Sequence, residues 1–118
     1  MLIQEQILLG KIMLVSSYVL SAENSANKFA SRREDIKKFT DKYTALYVSD
    51  KNRPRIELKA GEIMKSGLKF MDACHIACAI FAGCDYFLSV DSRLLKFKTD
   101  EVKIMNPVDF ILELEMIL

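Results

Sequence analysis

A mixed α/β fold, with a short parallel sheet of about three strands flanked by helices, is the architecture that three features of the sequence predict. From Met71 to Ala82 the chain is nearly all small or apolar, with only Asp72 and His75 polar, and Gly83 follows where a helix C-terminus favours positive φ. Asp85-Tyr86-Phe87-Leu88-Ser89-Val90 is too short and too aromatic for a further helix and reads as a strand buried on both faces. Around this block, amphipathic helical stretches alternate with short apolar runs at Ile12–Val15 and Val102–Met105.

Taken in order, residues 2–10 suggest a short helix with Ile3, Ile7 and Leu8 on one face and Gly10 at its end. Ile12–Val15 is a candidate strand, and Ser16 or Ser17 can cap the helix expected from about Tyr18 to Phe29 by accepting an orphan amide. Ser31-Arg32-Arg33-Glu34 has the capping-box pattern and predicts a helix to about Leu46, with Ile36, Phe39, Tyr43 and Leu46 at helical spacing. Val48 to Pro54 reads as a polar connection. Pro54 suits a first helical turn, and the helix it opens runs to Ser66, burying Ile56, Ala60 and Ile63 or Met64. After the central block come a helical turn at Ser92–Lys96, a charged loop and the second strand at Val102–Met105. Asn106 and Pro107 start a final helix that reaches Leu118.

A chain of 118 residues fits one domain, and 51% hydrophobic residues is enough for a core without disulfides. The net charge of +1 excludes a strong global pull on nucleic acid, so RNA contacts must be local. Three cysteines make an odd set without the spacing of a secreted framework, which points to a reducing cytoplasm. No apolar run approaches the ~18 residues of a membrane span, and no signal peptide is expected.

Two carboxylates stand out. Asp72 falls in the first turn of its helix, where the dipole favours an anion. Asp91 is the first residue past its strand, and ligands of α/β folds bind beyond the carboxyl ends of parallel strands. Taken alone, each is more often structural, a first-turn acid and a helix cap.

The surrounding residues resemble the C-terminal half of PIN domains, the metal-dependent nuclease fold of many prokaryotic toxin–antitoxin ribonucleases. Met71-Asp72-Ala73-Cys74-His75-Ile76-Ala77-Cys78-Ala79 is similar to the family's D-A-x-H-x-A-x-A helix. Asp85 to Asp91 is similar to its D-x-[FL]-[LV]-[ST]-x-D strand, and Ile104 to Phe110 to its closing strand and N-P-x-[ED]-[FL] helix start. The likeness is strong over residues 67–110 and loose before. It implies a ribonuclease that uses Mg²⁺ or Mn²⁺ to polarise a phosphodiester and generate hydroxide, held by hard oxygen ligands. Asp72 and Asp91 match two of the family's acids. Glu23 matches a third, because an acid follows the strand-end serine by six residues, as Glu23 follows Ser17. Ser89 shares the strand face of Asp91 and can orient a ligand or water, and Arg93 and Lys96 are placed to touch phosphate.

The same helix carries rival readings. His75 is more often a packed histidine than a ligand. Cys74 and Cys78 lack the partners for zinc and read as small buried residues. Arg32, Arg33, Lys37 and Lys38 read as a solvated face.

The chain departs from the pattern at its start: the family's first strand, which ends in a metal-binding aspartate, has no counterpart. Residues 1–118 are therefore expected to be one abbreviated PIN-like domain, with a weaker metal site and impaired cleavage. Either Ile12–Val15 pairs with Tyr86–Val90, or a second chain covers the exposed edge, and a homodimer is expected on that ground. The alternative is a non-catalytic PIN-like module working through oligomerisation or an antitoxin-like protein partner.

Overall fold

Helices, singly or in pairs, alternate with short strands along the chain. The computed structural model describes residues 2–117. In order these form α1 (Leu2–Leu8), β1 (Leu14–Ser17), α2 (Tyr18–Ser25), α3 (Ala30–Tyr43), β2 (Thr44–Val48), a 3₁₀ turn at Asp50–Asn52, α4 (Arg53–Met64), α5 (Phe70–Phe81), β3 (Tyr86–Leu88), α6 (Ser92–Leu95), β4 (Lys103–Met105) and α7 (Pro107–Ile117). The class is α/β, as expected, and all strand pairs among the described residues are parallel.

The single sheet of about three strands is corrected. Two separate two-stranded sheets form instead, β1 with β2 and β3 with β4. Val15 lies opposite Leu46 and Ser17 opposite Val48 in the first, and Phe87 opposite Ile104 in the second. The pairing of Ile12–Val15 with Tyr86–Val90 does not occur, because β1 takes β2 as its neighbour. That strand was hidden by a helical pattern: Leu46 continues the spacing of Ile36, Phe39 and Tyr43, but α3 stops at Tyr43. Thr44-Ala45-Leu46-Tyr47-Val48 is β-prone, and its pairing with β1 outweighs a further helical turn.

The Ser31–Glu34 capping box is not used either. The helix begins two residues earlier, at Ala30, with no side-chain cap at Phe29. The entry is fixed instead by Asn27, whose Oδ1 accepts the Phe29 amide at 3.0 Å. Likewise α2 ends at Ser25 rather than Phe29, since Ala26 and Asn27 turn back onto Glu23 and Asn24 carbonyls.

The core is built around α5. Ala73, Ile76 and Ala77 are fully buried, and Cys74, Cys78 and Ala79 nearly so. Small residues on this helix let α4 approach closely with Ile56, Ala60 and Ile63, one stripe at i, i+4 and i+7. Val15 of β1, Phe87 of β3 and Ile104 of β4 pack against the same cluster, so both sheets lean on one helix pair. Gly83, at φ +71°, ends α5 in the left-handed region and sends the chain into β3. No helix of the described residues is long and apolar enough to cross a membrane.

Candidate functional site

Asp72 lies in the first turn of α5, half-buried, as the sequence predicts. Asp91 follows β3 and is the N-cap of α6, accepting the Arg93 amide on Oδ1 at 2.9 Å. The Arg93 side chain folds back on the same carboxylate, with Nε 3.2 Å from Oδ1 and Nη2 2.8 Å from Oδ2. The guanidinium and the amide of Arg93 hold Asp91 down to about pKa 2, with Lys69 adding to the effect. Ser89 Oγ accepts the Asp91 amide at 3.0 Å, so this hydroxyl sets the backbone that presents the acid.

The fields of these groups overlap across elements. Asp72 helps to raise Arg93, and Lys69, the residue before α5, helps to lower Asp91. Asp72 and Lys69 at the N-terminus of α5 are thus within electrostatic reach of Arg93 and Asp91. Lys69 was missed by sequence reasoning, although a lysine three residues before Asp72, at the mouth of the helix, was a legible signal. Phe70, Met71 and Val90 were missed as well, all exposed large apolar groups beside the two aspartates, with Val90 at 86%.

Glu23 is on α2, which packs against α5. Its Oε2 is 2.5 Å from Nε2 of His75, and His75 is one turn along α5 from Asp72. This pairing gives His75 a role that is neither metal ligand nor plain packing: it ties α2 to α5. Glu23 is thus joined through His75 to α5, one turn from Asp72, while Asp91 is paired with Arg93 at the start of α6.

They do not form a cluster. Among the described residues no group of three His, Cys, Asp or Glu side chains could hold a metal ion, so the expected convergence of all three acids within metal-bridging distance is corrected. The physical reason is local pairing: Arg93 occupies both oxygens of Asp91, and His75 takes one of Glu23. As arranged, this donor set does not fit Mg²⁺ or Mn²⁺, which take several convergent oxygens. Asp72 is the one of the three without an ion pair among the described residues. The expectation that Arg93 contacts phosphate is likewise changed, because its guanidinium is committed to Asp91. Lys96 is exposed at the end of α6 and makes no ion pair among the described residues.

The cysteines behave as the core residues they were read to be. All three are free, and Cys74 and Cys78 are buried. Burial pushes the Cys78 thiol up to about 11, with the Ser17 hydroxyl working the other way.

No protein-family model, no curated protein and no solved structure matches the chain.

Proposed function

We propose that the chain is a PIN-like ribonuclease module of toxin–antitoxin type, acting on RNA in a reducing cytoplasm, with cleavage impaired in these 118 residues. The observation that carries the reading is the placement of Asp72 in the first turn of α5 and of Asp91 just after β3, where it caps α6. Under the resemblance, Asp72, Asp91 and Glu23 are the acids of the site, and Lys69 and Lys96 supply positive charge toward a phosphate chain. Mg²⁺ or Mn²⁺ is the cofactor the resemblance implies. Recruiting it would require Arg93 to leave Asp91 and His75 to leave Glu23, and that competition would weaken metal binding.

The test is cleavage of single-stranded RNA by the parent, Asp72→Asn and Asp91→Asn, purified side by side so that a contaminating nuclease is recognised. Slow cleavage in Mg²⁺, faster in Mn²⁺ and lost in both variants is the expected result. Brisk cleavage in Mg²⁺ that Asp72→Asn leaves unchanged would remove the assignment.

A second reading is a non-catalytic module that binds protein, including an antitoxin-like partner. It is favoured by the engagement of Glu23 with His75 and of Asp91 with Arg93 within the chain, and absence of cleavage with either metal would pass the assignment to it.

A further inference from the structure

Strand β1 and helices α2 and α3 frame a cavity of about 360 Å³ that none of the three candidate acids lines. Strand alternation and helical spacing build it. Val15 of β1 packs on the core, so Ser16, next along the strand, turns to the opposite face and lines the cavity. On α2, Leu20, Ser21, Asn24 and Ser25 share one stripe on the cavity, while Glu23 of the same helix meets His75 of α5. Helix α3 forms the other wall. Two polar groups of this lining have no partner. Ser17 caps α2 by accepting the Leu20 amide at 3.1 Å, but Ser16 is only 5% exposed and its hydroxyl makes no hydrogen bond among the described residues. Asn24 donates from Nδ2 to the Arg33 carbonyl at 3.1 Å, and its Oδ1 is buried without a partner among the described residues. Buried polar groups are normally hydrogen-bonded, so two unpaired ones beside one cavity call for a partner inside it.

We infer that this cavity binds a neutral polyhydroxylated ligand of monosaccharide size, which hydrogen-bonds Ser16 and Asn24. Charge selects that class. On α3, Arg33 and Lys37 stand against Glu34 and Asp41, and Lys37 is paired with Asp41 at 2.8 Å. Arg33 donates from Nη1 to the Asn27 carbonyl at 2.9 Å, which leaves further N–H donors on the same guanidinium. The lining therefore carries no net charge to favour an ion. No aromatic ring among the described residues lines it, so a nucleobase would find nothing to stack on. The remaining chemistry is hydroxyl, amide and carboxylate acceptors facing guanidinium and hydroxyl donors, with Leu20 and Ile36 as an apolar floor. Sugar hydroxyls both donate and accept, and the C–H faces of the ring suit that floor. The volume falls within the roughly 300–1,000 Å³ of ligand pockets, at the small end that a monosaccharide needs. The inference does not depend on the ribonuclease reading.

Backbone amide chemical shifts of the whole chain, titrated separately with D-glucose, D-ribose, inorganic phosphate and adenosine monophosphate, test it. The expected result is saturable shifts with a sugar, centred on residues 16–25 and 33–41 and half-complete at about millimolar concentration. Ser16→Ala should weaken that binding about fivefold, the effect of losing one neutral hydrogen bond. Ser21→Phe, a change at an exposed position on the cavity wall, should abolish it by filling the space. Circular dichroism of each variant checks that the fold is kept, and Ser66→Ala, beyond the end of α4, should leave binding unchanged. No saturable shift with either sugar up to about 100 mM, where a millimolar site is filled, would mean that the cavity holds water alone and would overturn the proposal. So would saturation by phosphate or adenosine monophosphate without the sugars, or sugar binding that neither Ser16→Ala nor Ser21→Phe alters.

Discussion

Asp91 shows how much one residue is asked to do. It ends the approach from β3, caps α6 and holds Arg93 by two side-chain contacts. Its folded-state pKa of about 2 lies below the ordinary 3.8. The stability this contributes is present above the unfolded value and is lost as pH falls through 2. Asn keeps the cap but removes the charge, so Asp91→Asn should flatten the pH dependence of unfolding between about pH 4 and 2 while leaving neutral-pH helix content unchanged. Acid unfolding followed by circular dichroism measures this, and an unchanged acid profile would mean the ion pair does not form in solution. Cys78 supplies the opposite sign. Its thiol is raised from 9.0 to about 11, so its neutral form is favoured on folding, and that contribution fades as pH rises through 11. In native protein at neutral pH, Cys84, the half-buried one, should react first with a thiol reagent, and Cys74 and Cys78 only on unfolding.

At the scale of elements, α5 carries both the core and the site, and the two roles use different residues. Ile76, Ala73 and Ala77 face inward, while Asp72 and His75 are half-buried and His75 meets Glu23 of α2. Ile76→Ala should therefore cost about 3–4 kcal/mol in chemical denaturation, the range for an isoleucine emptied from a closed core. Leu58→Ala, on the 74%-exposed outer side of α4, should cost less than about 0.5 kcal/mol. The helix itself was legible because an apolar run ending in Gly83 leaves few alternatives. Strand β2 was not, because Leu46 satisfies helical spacing and only the pairing with β1, a contact distant in sequence, decides against it. The start of α3 was missed for a related reason: Ser31 and Glu34 make a good box, but Asn27 intercepts the entry with its own side chain.

For the whole molecule, the decisive feature is that two parallel pairs share one helical core without joining into one sheet. Parallel strands are normally buried in wider sheets, so these pairs leave edges that the described residues do not fill. The positions of Asp72 and Asp91 were readable because helix N-termini and strand ends are local features. Their partners were not, since the His75–Glu23 contact joins residues 52 apart in sequence and depends on how α2 meets α5. The central proposal is that Glu23, Asp72 and Asp91 serve one site once Mn²⁺ displaces Arg93 from Asp91 and His75 from Glu23, with Asp72 the acid left open. The most direct measurement is a Mn²⁺ titration followed by paramagnetic broadening of backbone amide signals. At about millimolar Mn²⁺, a range typical of weak oxygen sites, signals of residues 69–75, 89–93 and around Glu23 should broaden together, and Asp72→Asn should abolish all three effects. Broadening centred elsewhere, or unchanged around Asp91 and Glu23 in Asp72→Asn, would contradict the account.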